Sequence, residues 1–504
     1  MSEHIEEPSD RGRWGATQDE TRRRREAAFE VPAVPFHALL DESAARTSRH
    51  VAIRFDGGRL TFDELATQTH RAAHALAALG VRRGDRVALA FYDRPEYLVS
   101  LVALSRLGAV AVPVNPSLCS TEILHVLAHS GARVLVGNRT ATARVRPAVE
   151  QALDPLELAK RMEAAPPRRA PEIQLDPAED LLVLQYTSGT TGTPRAAMLT
   201  HRNVVASHLQ YVRAGRVGPD DVSLIFVPCS HVYGTMLMGG AIAAGATQVL
   251  MERFDLEASL ELVERHRVTL YYCTTAVVVQ LMRSSAAARR DLSSLRYVNS
   301  GGAPLPDDVR REARSRLGVE IADGYGLTEA PIVGHRVPGE HRRVVPLEDP
   351  TRVCGPGEPG EIQVRGPQVM KGYWQDPEAT ARAFQDGWLR TGDLGYHDTS
   401  GRLHVTARAK EVIKYRGFAV SPAELEGLLL QHPAVQDCAV VGHASPDGDE
   451  APCAYLVVRD SVQATDAVEH VNRQVAAYKR IRDVRVVSHI PRNGAGKVVK
   501  RLLT

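Results

Sequence analysis

Short apolar segments alternate with helical segments along most of the chain, and this alternation limits its possible folds more than any other feature. Residues 86–90, 109–114 and 181–185 are apolar runs of strand length, and segments with helical spacing separate them. Strands that are separated by helices pair in parallel, through crossover connections. The sequence therefore predicts an α/β fold with large, doubly wound parallel sheets.

The pattern changes near residue 360. Segments 361–365, 402–406 and 411–414 are short strands between glycine-rich turns, and they predict a β-barrel-like part. The last stretch of the chain then has the pattern of a small α+β unit. We expect a flexible arm over residues 1–34, a large domain over 35–409 and a small domain over 410–504.

Charge and cysteine content disfavour several classes of protein. Lys plus Arg total 62 and Asp plus Glu total 60, so the net charge of +2 disfavours an electrostatic nucleic-acid binder. The six cysteines lie far apart without a CxxC pair, which argues against a zinc site and fits a reducing compartment. The most apolar stretch, 236–250, is short and interrupted by glycine. We expect a cytoplasmic protein with no membrane span and no nucleic-acid partner.

A loop rich in hydroxyl groups and glycine follows the strand at 181–185. It contains Thr187, Ser188, Gly189, Thr190, Thr191 and Gly192, and the cation Arg195 comes shortly after. Glycines let backbone amides turn toward an anion, and hydroxyls and a guanidinium add donors. A Walker loop has four residues between its glycines, whereas this loop has two. The segment therefore predicts a phosphate site of another type.

This loop resembles the phosphate loop of the adenylate-forming superfamily, which includes acyl-CoA synthetases, 4-coumarate–CoA ligases, firefly luciferase and peptide-synthetase adenylation domains. The resemblance continues in order through segments 84–87, 107–116, 300–305, 323–329, 370–374, 391–393, 408–417 and 491–497. Arg195 and Ala407 stand where the family usually has lysine and aspartate. The first departure fits a chain in which 55 of the 62 basic residues are arginine. The stretch 273–277 also lacks the usual proline, and the interval 330–360 is shorter than typical.

The resemblance implies a two-step reaction. A carboxylate attacks the α-phosphate of ATP, which gives an acyl-adenylate and pyrophosphate, and a thiol then takes the acyl group. The implied cofactors are ATP, Mg²⁺ and coenzyme A, with the phosphopantetheine of a free carrier protein as the alternative thiol. Catalysis of this kind is mainly positioning and electrostatic stabilisation.

Family positions imply the residues that contact the reacting groups. Lys497 reaches the substrate carboxylate and the ribose-side oxygen of ATP. Thr328 donates to the α-phosphate, with a helix N-cap as its structural alternative. Glu329 holds Mg²⁺, because this cation prefers oxygen ligands. Asp393 accepts from the ribose hydroxyls, and Arg408 makes a second ribose contact.

The adenine side of the nucleotide site is implied by two further blocks. They contribute Gly302, Ala303, Asp323, Gly324 and Tyr325. The resemblance implies that Tyr325 stacks on adenine and that Asp323 accepts from the adenine amino group.

The C-terminal blocks imply a small mobile domain that serves both steps. Lys410 matches the hinge residue, and Lys414 resembles the residue that faces the acyl-adenylate. Arg416 and Gly417 resemble the strand that meets the pantetheine arm, where only a bare backbone lets the thiol pass. Arg253 matches a basic position that meets the nucleotide phosphate of coenzyme A.

The acyl pocket is also implied by family positions. His231 matches an aromatic gate between the acyl pocket and the thiol channel. The other pocket candidates are Tyr233, Asn299, Gly301, Gly326, Ala330, Pro331 and Ile332. They are mostly small or apolar, and none is a Lys or Asp that could pair with the carboxylate or the α-amino group of an amino-acid substrate. This composition favours an aryl or medium acyl acid as substrate.

Four readings of the function stay open on the sequence. The leading one is an acid–CoA ligase, and the second loads a carrier protein in trans. A third activates another oxyanion, such as nitrite, for a non-thiol nucleophile. A fourth, a nucleotide-binding regulator without turnover, is disfavoured because Lys497, Glu329, Thr328 and Asp393 are all present.

Overall fold

The computed structural model describes residues 29–187, 194–302, 305, 307–334, 340–415, 418–444, 450–458, 461–492 and 498–503. The strands in the first half of the chain are β1 Val51–Phe55, β2 Gly58–Thr61, β3 Arg86–Ala90, β4 Val110–Pro113, β5 Val134–Gly137, β6 Gln151–Leu153, β7 Leu181–Tyr186, β8 Ala196–Thr200, β9 Val222–Ile225 and β10 Thr247–Leu250. Those that follow are β11 Leu270–Thr274, β12 Tyr297–Gly301, β13 Glu320–Leu327, β14 Ala330–Val333, β15 His341–Val345, β16 Gly360–Arg365, β17 Gly372–Tyr373, β18 Phe384–Gln385, β19 Trp388–His397, β20 Leu403–Arg408, β21 Ile413–Tyr415, β22 Phe418–Val420, β23 Asp437–Ala444, β24 Glu450–Val457 and β25 Asp483–Val486.

Helices connect most of these strands. They are α1 His37–Thr47, α2 Phe62–Ala78, α3 Pro95–Leu107, α4 Ser120–Ser130, α5 Arg139–Val145, α6 Pro155–Ala164, α7 His201–Gly215, α8 Val232–Ala244, α9 Leu256–His266, α10 Thr275–Arg283, α11 Asp307–Leu317, α12 Pro377–Ala383, α13 Pro422–Gln431 and α14 Ser461–Gln474. Each helix in the described ranges is too short or too polar to cross a bilayer.

Two large sheets form the main body. One has eight strands in the order β14-β13-β12-β11-β9-β10-β1-β2, and the other has seven in the order β17-β8-β7-β4-β3-β5-β6. Neighbouring strands inside each sheet are parallel, whereas β2 and β14 at the edges of the first sheet, and β8 and β17 at one edge of the second, pair antiparallel. The predicted doubly wound parallel sheets are confirmed.

Two apolar helices fill the interior. Every residue of α3 from Tyr97 to Leu107 is buried, and so is nearly all of α8. A helix that is apolar on all sides must be covered on all sides. The hydroxyls of Tyr97 and Thr235 bond across the two helices at 2.8 Å, and the core they share includes side chains from both large sheets.

Local sequence signals explain several element ends. Phe55 pairs with Gly58, so Asp56 and Gly57 form a two-residue hairpin turn in which both residues have positive φ, as the Asp-Gly pair predicts. At the start of α2, Thr61 and Glu64 form a capping box, which the Thr-x-x-Glu pattern of the sequence predicts.

The last third of the chain forms smaller sheets. Strands β15, β16, β19, β18 and β20 make a five-stranded antiparallel sheet in the region for which the sequence predicts a barrel-like part. Strands β21 and β22 form a hairpin, and β23, β24 and β25 form a three-stranded sheet packed by α13 and α14. The Arg283 guanidinium on α10 donates to the carbonyls of Val435 and Leu430 at 2.6 and 2.9 Å, which places this C-terminal unit against the main body.

Two buried histidines make the fold sensitive to acid. His201 and His208 are at most 1% exposed, and burial lowers the pKa of each to about 4. In the unfolded chain these histidines have ordinary pKa values near 6.5 and bind protons that the folded chain does not bind. Their contribution to the free energy of unfolding is therefore complete above about pH 6.5 and is lost as the pH falls toward 4. Each histidine contributes a slope of up to about 1.4 kcal/mol per pH unit in that window.

Urea denaturation at about pH 7, 6 and 5 tests this prediction. We expect the free energy of unfolding to fall with pH, and the slope to be smaller in His208→Gln. His341→Gln is the matched control, because this histidine is exposed on β15 and should leave the slope unchanged. A free energy that is the same at all three pH values would contradict the prediction.

Candidate active site

A tight hairpin carries two of the predicted reaction residues. Leu327 at the end of β13 pairs with Ala330 at the start of β14, so Thr328 and Glu329 alone form the turn. The helix N-cap considered for Thr328 is therefore wrong. The hairpin holds both side chains at the edge of the eight-stranded sheet.

Glu329 is fixed by a second segment of the chain. The Tyr373 hydroxyl donates to Glu329 Oε1 at 2.6 Å, and the Met370 amide donates to the Glu329 carbonyl at 2.8 Å. Neither contact has a signal in the local sequence, because the partners lie more than forty residues apart. Glu329 thus has a defined orientation before any ligand binds.

The predicted phosphate loop opens between two paired strands. Tyr186 pairs with Ala196, and the Thr187 amide donates to the Arg195 carbonyl at 2.7 Å. Ser188, Gly189, Thr190, Thr191 and Gly192 lie outside the described residues. Arg195 Nε lies 3.5 Å from Asp376 Oδ2, and its guanidinium lies 5.6 Å from the Tyr373 ring centroid. The cation that replaces the usual lysine is therefore held next to the Glu329 segment.

The predicted ribose contacts form one group. Asp393 and Arg408 pair across β19 and β20, and Arg408 Nε donates to Asp393 Oδ1 at 2.9 Å. The Tyr325 hydroxyl donates to Asp393 Oδ2 at 2.8 Å. A carboxylate has about four acceptor positions, so two remain for a pair of vicinal hydroxyls. Burial alone would lower the pKa of Arg408, but the charges of Asp393, Glu411 and Glu329 together raise it, so Glu329 lies close enough to act on Arg408.

Three of the predicted adenine-side residues, Asp323, Gly324 and Tyr325, lie on β13. Asp323 is paired with the Arg310 guanidinium, and Arg402 lies 3.7 Å away, so its carboxylate already has cationic partners. A β-carbon on Gly324 would lie 2.7 Å from Asn299 Oδ1, which explains the glycine there. Gly302 has a φ of +84°, and Ala303 lies outside the described residues.

The predicted pocket residues converge beside Tyr233. Its hydroxyl donates to Asn299 Oδ1 at 2.9 Å, and a β-carbon on Gly301 would lie 3.2 Å from its ring. Gly326 faces the Pro331 carbonyl so closely that no side chain fits there, and Ala330 and Ile332 follow on the same strand, β14. Gly301 and Gly324 thus let the backbone approach the Tyr233–Asn299 pair closely.

A chain of buried tyrosines supports this pocket from behind. The hydroxyls of Tyr211, Tyr272 and Tyr297 are joined by two bonds of 2.7 Å, and the Tyr272 ring meets the Tyr233 ring edge to face. Sequence reasoning missed this chain, because the three residues come from α7, β11 and β12. It supports the Tyr233 ring from behind.

The segment before α8 carries the predicted gate. His231 is the N-cap residue of this helix, and its Nδ1 accepts from the Tyr233 amide at 3.2 Å. Gln185 Nε2 donates to the Ser230 carbonyl at 2.8 Å, and the Cys229 amide donates to Asp93 Oδ1 at 2.6 Å. These bonds anchor the gate segment to the strand before the phosphate loop and to the end of β3.

Asp93 is another residue of the site that the sequence did not predict. It is 3% exposed, and burial raises its pKa to about 7 although the Cys229 contacts lower it. Next to it, the Tyr92 ring lies 5.1 Å from the guanidinium of Arg253, whose side chain is exposed as its predicted phosphate contact requires.

Most of the predicted contacts of the small domain lie outside the described residues. This holds for Arg416, Gly417 and Lys497, while Lys414 is described only as part of β21 and Lys410 is exposed in the turn after β20. The residues that flank Lys497 are described. Arg492 and Val498 form an isolated β-bridge, and the Arg492 guanidinium donates to Asp437 Oδ1 at 2.6 Å. The described residues on either side of Lys497 are therefore paired with each other, and Arg492 is attached to β23.

One group of possible metal ligands lies in the small domain. His443, Cys453 and Asp483 place one ligand atom each within 4.8 Å of the others. Arg485 lies 3.3 Å from His443 Nδ1 and 3.6 Å from Asp483 Oδ2. The guanidinium already supplies a positive charge to this group.

The residues around Glu329 fit a magnesium nucleotide. Tyr373 occupies one acceptor position on Oε1, so Oε2 stays available as the oxygen ligand that Mg²⁺ prefers. Arg195 and Arg408 supply cations on either side, and the two open acceptor positions of Asp393 suit ribose.

Comparison with known proteins agrees with this arrangement. The family model of the AMP-binding enzyme matches residues 40–374, and that of the AMP-binding enzyme C-terminal domain matches residues 424–497. The first covers more than half of the chain.

Similar proteins share nearly the whole length. The 4-coumarate–CoA ligase 1 of Oryza sativa subsp. japonica is 37% identical over 495 residues, with 89% of this chain and 87% of that protein covered. The anthranilate CoA ligase AuaEII in complex with anthranoyl-AMP has a TM-score of 0.86 at 25% identity, with 94% and 97% covered. The amide bond synthetase McbA from Marinactinospora thermotolerans has a TM-score of 0.81 at 29% identity, with 93% and 99% covered. The chain therefore belongs to the AMP-binding enzymes, the adenylate-forming superfamily.

Proposed function

We propose that this enzyme activates an aryl acid with ATP and transfers the acyl group to coenzyme A. The observation that carries the proposal is the convergence of Glu329, Arg195 and the Asp393–Arg408 pair on one edge of the main body. The site thus brings together a carboxylate for Mg²⁺, a cation for the phosphates and an acceptor for ribose. Such a group can bind a nucleotide and leave its α-phosphate accessible. This arrangement supports adenylate formation.

In the first step two anions must approach each other. Lys497 offsets the repulsion between the acid and the α-phosphate, and Thr328 donates to the phosphoryl oxygens on which charge develops. Glu329 would hold Mg²⁺, which would neutralise phosphate charge and so favour departure of pyrophosphate. Ser188, Thr190, Thr191 and Arg195 receive the leaving pyrophosphate. Positioning by these fixed donors lowers the barrier without a covalent enzyme intermediate.

In the second step the small domain, residues 410–504, turns about Lys410. This motion removes Lys497 and brings Lys414, Arg416 and Gly417 to the acyl-adenylate. The thiol then passes Gly417 and the His231 gate and attacks the acyl carbonyl carbon. The C–S bond forms as the acyl–phosphate bond breaks, AMP leaves and the thiol proton passes to solvent. Arg253 binds the nucleotide phosphate of coenzyme A.

The aryl class of the acid rests on the pocket and on the similar proteins. The hydroxyl–amide pair of Tyr233 and Asn299 lies beside Gly301, whose backbone packs closely against the Tyr233 ring. A flat ring fits next to the Tyr233 ring, and a polar ring substituent finds a donor or acceptor in this pair. The names of the similar ligases, for 4-coumarate and anthranilate, support the same class.

A second candidate acceptor is an amine. The similarity to an amide bond synthetase over 93% of this chain supports transfer of the acyl group from the adenylate to nitrogen. Both candidates share the first step and differ only in the nucleophile.

Acid-dependent exchange between ATP and pyrophosphate tests the first step. We expect exchange with hydroxylated or amino-substituted aryl acids, and acyl-CoA rather than amide when coenzyme A and amines compete. Exchange with no acid in a panel of aryl and fatty acids would contradict the adenylation proposal.

Two variants separate the half-reactions. Lys497→Ala should lower adenylation by about a hundred-fold or more, because it removes a charge that acts in the transition state, while premade acyl-adenylate still reacts with coenzyme A. Gly417→Leu should leave exchange intact and block thioester formation. Pre-steady-state measurement of each half-reaction checks this, and loss of the same half-reaction in both variants would contradict domain alternation.

Gly301→Ala tests the pocket. The added methyl group would press on the Tyr233 ring, so we expect KM for the acid to rise about ten-fold while KM for ATP stays unchanged. Steady-state kinetics with one acid checks both values. Gly218→Ala is the control, since nothing lies within 4 Å of its added methyl group.

A further inference from the structure

The segment from Met370 to Trp374 matches a family block but has no role in the proposed reaction. It adds β17 to the edge of the seven-stranded sheet, where the Lys371 and Trp374 amides donate to the carbonyls of Met198 and Ala196 at 2.9 and 2.8 Å. On its other side, the Met370 amide donates to Glu329. The segment thus joins the Glu329 hairpin to the strand that follows the phosphate loop.

Tyr373 is the side chain at the centre of this junction. Its hydroxyl donates to Glu329 Oε1 at 2.6 Å, and its ring lies 5.6 Å from the Arg195 guanidinium. Burial and the Glu329 charge raise the pKa of this phenol, so it remains a donor at neutral pH.

Helix α12 holds Tyr373 and Arg195 from the opposite side. The Thr380 hydroxyl accepts from the Tyr373 amide at 2.8 Å and donates to the Asp376 carbonyl at 2.9 Å. Asp376 caps the helix through Oδ1 and lies 3.5 Å from Arg195 Nε through Oδ2. One short helix therefore supports both the phenol and the cation.

We propose that Tyr373 is the positioning residue that couples the magnesium carboxylate Glu329 to the phosphate cation Arg195, with Asp376 orienting Arg195. This inference rests on the proposed function. Tyr373 holds Glu329 Oε1 and thereby aims Oε2 at the metal. Without this bond the carboxylate would sample several rotamers, and the conformational entropy lost on ordering it would weaken metal binding.

Tyr373→Phe tests the coupling, because it removes only the hydroxyl. We expect the Mg²⁺ concentration for half-maximal exchange to rise about ten-fold or more, with the rate recovered at saturating Mg²⁺. Electron paramagnetic resonance of Mn²⁺, with a non-hydrolysable ATP analogue bound, should show a similar loss of metal affinity. Tyr396→Phe is the matched control, since this tyrosine stacks on His404 away from Glu329.

Asp376→Asn separates the two contacts of the junction. Asparagine keeps the helix cap but loses the ion pair with Arg195, so KM for ATP should rise while the Mg²⁺ dependence stays unchanged. A shift in Mg²⁺ dependence as large as that of Tyr373→Phe would overturn the assignment of separate roles.

A double-mutant cycle with Glu329→Gln completes the test. The effects of Tyr373→Phe and Glu329→Gln on Mn²⁺ affinity should be strongly non-additive. Additive effects, an unchanged Mn²⁺ affinity in Tyr373→Phe, or a Tyr373→Phe chain that fails to fold would each overturn the inference. The Mn²⁺ measurement needs no acid substrate, so it tests this inference independently of adenylation. Failure of the adenylation proposal would instead appear as a wild-type enzyme that shows no exchange.

Discussion

Backbone hydrogen bonds from residues 370–374 hold the candidate active site together. They tie the Glu329 hairpin of the eight-stranded sheet to β8, the strand of the seven-stranded sheet that leaves the phosphate loop. Backbone bonds restrict two soft dihedrals per residue, so a few of them fix the relative position of the elements they join. The backbone thus positions the charged side chains, even where few side-chain contacts hold them.

The electrostatic arrangement follows from this frame. Glu329, Arg195 and Arg408 are half-buried and Asp393 is buried, where interactions between charges are stronger than in water. Each carboxylate has one neutral donor, Tyr373 or Tyr325, that stabilises it without cancelling its charge. Such a site keeps acceptor capacity for the proposed metal and sugar, and Arg195 lies next to it as the proposed phosphate cation.

Much of the fold, but less of the site, could be predicted from the sequence. Apolar runs predict β3 at the observed bounds, and the Asp-Gly turn and capping box after residue 55 are confirmed, because these signals depend only on neighbouring residues. Thr328 shows where prediction from local sequence ends, because a Thr-Glu pair suits both a helix start and a hairpin turn. Only the pairing of Leu327 with Ala330 decides between the two structures. Tyr373, Asp93 and the chain of Tyr211, Tyr272 and Tyr297 act through partners distant in sequence, which periodicity does not reveal.

The contact of Arg283 with the C-terminal unit bears on the proposed motion of that unit. Its two acceptors are the backbone carbonyls of Val435 and Leu430, which carry no ionisable proton. The proposed turn about Lys410 would have to break both bonds wherever it moves the unit away from α10. The two bonds therefore favour the orientation seen here over one in which the unit has left α10.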